Sequence, residues 1–128
     1  MPVPGSLKRK PVDERELADM LETKFGLPRE ETRAYLRLLE GGDLNASQVA
    51  EALGIGSEEA RNLLERMKSR GLIIEAASSK FAPLHPRMTL TNIFKVYEKE
   101  VVQSLRDRRA TVDRIVNLLT PVYEERKR

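Results

Sequence analysis

Cysteine and tryptophan are absent from the 128 residues, and histidine occurs once, at position 85. Without thiols the chain holds no disulfide framework, zinc ribbon, iron–sulfur site or cysteine nucleophile. A single imidazole also removes paired-histidine metal sites. Aromatic residues make up only 5%, three Phe and three Tyr, fewer than a large β-sandwich needs to fill its core. Apolar runs last a few residues, far below the ~20 that span a bilayer, and residues 1–11 hold no apolar stretch of a secretory signal. The sequence reads as that of a soluble, cytoplasmic protein with no membrane contact, no metal and no cofactor.

What is present is charge and leucine. Charged residues make up 34% of the chain, and Leu, Glu, Arg and Ala dominate, the composition of helices on a modest core. Residues 1–12 combine Pro2, Pro4 and Pro11 with Lys8-Arg9-Lys10 and read as a disordered basic arm. A helix is expected from Glu14 to Phe25, capped by Asp13 with Glu16 three residues on, stapled by Val12 and Leu17, and turned inward at Leu17, Met20, Leu21 and Phe25. A second begins near Pro28, carries Glu30 and Glu31 at its positive end, and buries Ala34, Tyr35, Leu38 and Leu39 before Gly41-Gly42.

Asn45 and Gln48 form a capping box for a short third helix with Val49, Ala50 and Leu53 inward. Gly54-Ile55-Gly56 is a turn. Ser57 caps a fourth helix that runs to Arg70, buries Ala60, Leu63, Leu64 and Met67, and stops at Gly71. The period then changes. Leu72-Ile73-Ile74-Glu75-Ala76 and Lys80-Phe81-Ala82-Pro83-Leu84 form a hairpin around Ser78-Ser79, with Pro83 confining the second strand to an edge. Two short helices joined by a glycine turn and followed by a β hairpin predict a winged helix–turn–helix over residues 13–86: mainly α, with a small β wing.

Three stretches carry a family resemblance. They are Gly26-Leu27 through Ala34-Tyr35-Leu36-Arg37-Leu38-Leu39-Glu40, Leu44-Asn45-Ala46-Ser47-Gln48-Val49-Ala50-Glu51-Ala52 with Gly54-Ile55, and Leu63-Leu64-Glu65-Arg66-Met67-Lys68-Ser69-Arg70-Gly71-Leu72-Ile73. Residues 25–84 thereby resemble the TrmB-like archaeal transcription regulators, with features shared by MarR-like and ArsR-like regulators. The resemblance implies sequence-specific binding of double-stranded DNA, usually by a dimer, and a cytoplasmic protein that binds DNA is expected to be nucleoid-associated. Typical members carry a sugar-sensing domain after the linker. None follows within these 128 residues, so no small-molecule effector is expected.

Helical rotation places Glu58, Arg61, Asn62, Glu65 and Ser69 on the face opposite the fourth helix's core stripe. Arg61 and Asn62 suit guanine and adenine edges, and Glu65 suits cytosine N4. The face sums to −1, however, so phosphate affinity must come from Lys8, Arg9, Lys10, Arg66, Lys68, Lys80 and Arg87. The candidate DNA-binding set is Gln48, Ser57, Glu58, Arg61, Asn62, Glu65, Arg66, Lys68, Ser79, Lys80 and Arg87. The net charge of +3 supports this partition: residues 46–71 sum to zero and residues 13–45 to −4, while residues 1–12 and 90–128 each sum to +3. The alternative reading takes the acidic face at its word: a winged-helix adaptor of the transcription machinery that binds protein and reads no DNA sequence.

Residues 87–128 are expected to form a long dimerisation helix, kinked or ended near Pro121, which lacks a donor. Leu90, Phe94, Tyr97, Val101, Leu105, Arg108, Val112, Ile115, Leu119 and Val122 recur at steps of three and four with one stutter, a coiled-coil seam interrupted by Arg108. Phe94, Tyr97, Val101, Leu105, Arg108, Val112, Ile115 and Leu119 are its homodimer contacts. His85 reads as a cap or hinge. Nothing points to an enzyme. No glycine-rich phosphate loop is present, Ser78-Ser79 has no histidine beside it, and the adjacent pairs Glu30-Glu31 and Glu58-Glu59 diverge.

Overall fold

The computed structural model describes residues 11–126, so Lys8, Arg9 and Lys10, with nearly all of the expected basic arm, lie outside the described residues. Two compact units divide after Phe94, Met1–Phe94 and Lys95–Arg128. The first is a winged helix–turn–helix, mostly helical with a small three-stranded antiparallel sheet.

Helix α1 (Glu14–Phe25) starts where the Asp13 side chain accepts the Glu16 backbone N–H at 3.1 Å. Its buried line runs through Ala18 and Leu21, with Leu17 and Phe25 partly buried against the core. Met20, expected inside, is 51% exposed. Helix α2 (Arg29–Gly41) follows Pro28 and buries Thr32, Ala34, Tyr35, Leu36 and Leu38, while Leu39 turns outward. Both misplacements have one cause. A helix buries the residues facing its neighbours, and these faces hold small or polar residues that an apolar-only stripe passes over. Along the outer side of this pair, Arg29, Arg33 and Arg37 are one turn apart and meet Asp19, Glu22, Glu14, Glu30 and Glu40.

Helix α3 (Ala46–Leu53) has the expected capping box: Gln48 N–H donates to Asn45 at 2.8 Å, and Asn45 N–H donates to Gln48 Oε1 at 2.9 Å. Helix α4 (Ser57–Arg70) buries Ala60, Leu63, Leu64 and Met67. Its cap residue is Gly56 rather than Ser57, which makes no capping bond and stands as the first helical residue. These stripes enclose one core with Leu27, Leu38, Leu72, Ile73 and Phe81.

The sheet holds one strand more than the expected hairpin. Strand β1 (Leu44–Asn45) precedes α3, and β2 (Ile73–Glu75) and β3 (Lys80–Pro83) form the wing, in the order β1-β3-β2. β3 is therefore central, not an edge. Pro83 is tolerated because β1 reaches only Lys80 and Phe81, leaving Pro83 paired with Ile73 alone. The wing turn places Ser78 and Ser79 at φ +63° and +58°, with the Lys80 N–H donating to the Ala77 carbonyl. That is the mirror-image two-residue turn that matches strand twist and favours asparagine followed by glycine. Serine is strained there by about 1 kcal/mol per residue. The double substitution Ser78→Asn with Ser79→Gly is expected to slow hydrogen exchange at the Ala76 amide about fivefold, reflecting about 1 kcal/mol of added wing stability.

Helix α5 (Pro86–Arg126) begins with His85, whose Nδ1 accepts the Arg87 N–H at 3.0 Å. His85 thus caps the start of this helix. The helix runs on through Pro121 to Arg126 instead of ending at Thr120. Its buried residues are Thr89 and Ile93, and every residue from Tyr97 to Arg126 is exposed in the single chain. Among the described residues no helix is long and apolar enough to cross a membrane.

Candidate nucleic-acid interface

The site is built outward from α4. Because Ala60, Leu63, Leu64 and Met67 face the core, Glu58, Arg61, Asn62, Glu65 and Ser69 all stand exposed on the other side. The wing turn and the start of α3 flank this face. A polar cleft of about 270 Å³ opens between them, lined by Asn45, Ala46, Ser47, Arg61, Glu65, Glu75, Ser79 and Phe81. Of the residues expected from sequence, the cleft gathers Arg61, Glu65 and Ser79. Gln48, Ser57, Glu58, Asn62, Arg66, Lys68, Lys80 and Arg87 do not line it. Gln48 is exposed at the start of α3 with its Oε1 held by the capping box. Ser57, Glu58, Asn62, Arg66 and Arg87 are exposed, and Lys80 is half-buried.

Electrostatics divide the cations. Lys68 Nζ lies 3.1 Å from both Glu65 and Glu75, tying α4 to strand β2. Hydrogen bonds to Glu75 and Glu65 hold its ammonium above the usual lysine range. A lysine so engaged offers little to a phosphate. Arg61, Arg66, Lys80 and Arg87 form no ion pair among the described residues. Arg61 thus brings an unpaired positive charge into the cleft, beside the first backbone amides of α3, whose orientation also favours anions.

Beneath the site, Glu31 is fully buried and receives Arg70 Nη1 on both carboxylate oxygens at 2.9 Å. This pair pins the end of α4 to the start of α2. Burial pushes the Glu31 carboxyl above the usual range, and Arg70 and Arg66 pull it partly back. Sequence reasoning assigned Glu31 to the helix dipole and missed this role. It also missed Ser47 and Glu75, which adjoin residues it had chosen. Asn45 it read only as a cap.

The residues expected from sequence to make dimer contacts lie on α5. Phe94, Tyr97, Val101, Leu105, Val112, Ile115 and Leu119 are all exposed in the single chain, as is Arg108. No group of histidine and acidic side chains among the described residues could hold a metal ion.

Residues 21–100 match the profile of the family described as sugar-specific transcriptional regulator TrmB. A comparison with curated proteins finds no match. Among solved structures, TrmBL2, an archaeal chromatin protein described as showing a novel mode of DNA binding, aligns with a TM-score of 0.68 at 20% identity. The alignment covers 84% of this chain and 42% of that one, so the chain spans less than half of TrmBL2. A MarR family protein from Bacillus stearothermophilus aligns at TM-score 0.51 and 15% identity over 91% of this chain and 86% of its own. A MepR variant from Staphylococcus aureus, bound to an oligodeoxyribonucleotide, gives 0.51 and 15% over 86% and 90%. These likenesses show the winged-helix fold.

Proposed function

The chain belongs to the TrmB family of transcriptional regulators, and from that premise we propose that it binds double-stranded DNA as a homodimer. α4 enters the major groove, the wing contacts backbone, and α5 pairs with a second copy along its apolar stripe. The observation that carries this reading is the exposed row Arg61, Asn62 and Glu65 on α4, set beside the wing, with Arg61 and Glu65 in one polar cleft. Arg61 fits guanine O6 and N7, Asn62 fits adenine, and Glu65 accepts from cytosine N4. Phosphates are met by Arg66, Lys80 and Arg87, with Lys8, Arg9 and Lys10 of the arm. The DNA-bound MepR variant and the DNA-binding TrmBL2 support the assignment by likeness of fold.

A second reading has its own observation. Glu58, Glu59, Glu65 and Glu75 offset the basic residues of this face, and Lys68 is already committed to two of them. Such a face suits a protein partner. Salt titration of binding to duplexes selected from a random library separates the two. A dimer that neutralises about six phosphates gives a log–log slope near −5, whereas a slope near zero removes the DNA reading. Arg61→Ala is expected to cost about 1–3 kcal/mol at one base position and to relax discrimination there. Unchanged DNA affinity with loss of a protein partner supports the adaptor.

A further inference from the structure

We propose that Lys68 is a positioning residue: it draws the Glu65 carboxylate toward the wing and off Arg61, so that both side chains of the reading face stay open to bases. This rests on the base-reading role proposed for Arg61 and Glu65 above.

On α4, Glu65 lies one turn from Arg61 on one side and one turn from Lys68 on the other. Side chains three and four residues apart meet on a helix surface, so either cation can take the carboxylate. An Arg61–Glu65 pair would close the reading face on itself. The guanidinium would keep fewer donors for guanine, and the carboxylate fewer acceptor sites for cytosine. The structure has the other pairing. Lys68 Nζ stands 3.1 Å from Glu65 Oε2, which leaves Oε1 for a base. Arg61 forms no ion pair among the described residues.

The wing decides between the two pairings. Lys68 Nζ also donates to Glu75 Oε1 on strand β2 at 3.1 Å, so the ammonium is fixed between a helix and a strand instead of swinging on its flexible stem. Glu65 and Glu75 both line the cleft that holds Arg61. With the ammonium between them the two carboxylates stand together. Without it they repel, and Arg61 is the one cation left a turn away from Glu65 on its own helix. A phosphate contact, the role that charge alone suggests for Lys68, has a different signature. Its loss weakens binding to every sequence alike and flattens the salt dependence. Loss of a positioning residue alters the preference among bases.

The test uses the full chain and duplexes that it selects from a random library, with each base pair varied in turn. Arg61→Ala locates the position that Arg61 reads. The base preference there is a ratio of affinities, from which a change in net charge cancels. It is expected to fall about three- to fivefold in Lys68→Met, the scale of an exposed ion pair. Adding Glu65→Ala to Lys68→Met removes the competing carboxylate and is expected to return the preference to within about twofold of the wild type. A merely structural role for Lys68 gives no such rescue. An unchanged preference in Lys68→Met overturns the inference and leaves DNA binding intact. So does a loss that Glu65→Ala fails to restore. Uniform weakening, with every preference kept and a salt slope shallower by about 2 for a dimer, makes Lys68 a phosphate contact and overturns it too. A wild type with no base preference at any position removes the base reading and the inference together.

Discussion

Replacing Arg70 with methionine is expected to lower the stability of the folded chain by about 3 kcal/mol at pH 7.5, and by clearly less at pH 5. Glu31 has no exposed surface, and its carboxylate is held by one guanidinium group. Breaking a buried pair by deleting one partner costs about 3–5 kcal/mol, because the remaining charge stays desolvated. The lower end applies because the Arg70 side chain is itself 37% exposed, so water already screens part of the pair. The pH dependence follows from the direction of the Glu31 shift. Burial, its largest cause, raises the carboxyl above its ordinary value of 4.5, and Arg70 opposes this. Deleting Arg70 leaves burial less opposed, so the folded carboxyl titrates higher still. Between 4.5 and that raised value the folded state binds a proton that the unfolded state does not. Stability therefore rises as pH falls through the folded value, and it is lost as pH rises. Urea unfolding followed by circular dichroism at both pH values, at one fixed protomer concentration, measures the difference. An equal deficit at pH 5 and 7.5 would mean that Glu31 is not the group left stranded.

Glu31 also marks where sequence reading runs out. Its local setting, an acidic pair in a first helical turn, has a complete local explanation in the helix dipole. The partner that overrides it lies 39 residues away. Local signals did well where the structure is local. Asp13, the Asn45–Gln48 box and the glycines at 26, 54 and 71 mark helix ends through bonds spanning a few residues. Strand β1 was invisible because two residues make no period and their partner is β3, far along the chain. In the site, rotation about α4 located Arg61 and Glu65, because a buried stripe dictates its opposite face. It did not reveal that Lys68 is spent on Glu65 and Glu75, which needs the wing folded back.

Arg108→Leu is expected to strengthen the proposed dimer by about 3 kcal/mol, tightening its dissociation constant roughly a hundredfold and raising its melting temperature. Arg108 falls where the three-and-four spacing from Leu105 to Val112 calls for an apolar residue. It makes no ion pair among the described residues, whereas its neighbour Arg109 reaches Asp113 at 3.6 Å. In a paired helix the Arg108 guanidinium is either desolvated or bent out to water, and both copies bear that cost. Leucine at the same place buries apolar surface worth about 1.5–3 kcal/mol per copy. Sedimentation equilibrium and the concentration dependence of melting check the gain. A variant that melts lower places Arg108 off the seam. The added stability is expected to come with lost precision, since a lone polar seam residue holds register where a uniform apolar seam allows slippage. The absence of cysteine makes this directly measurable. Val112→Cys supplies the chain's sole thiol, and its oxidative cross-linking yield reports how often two copies meet at that layer. The yield is expected to fall when Arg108→Leu is added, even as the dimer tightens, because polar mismatch no longer penalises the shifted alignments.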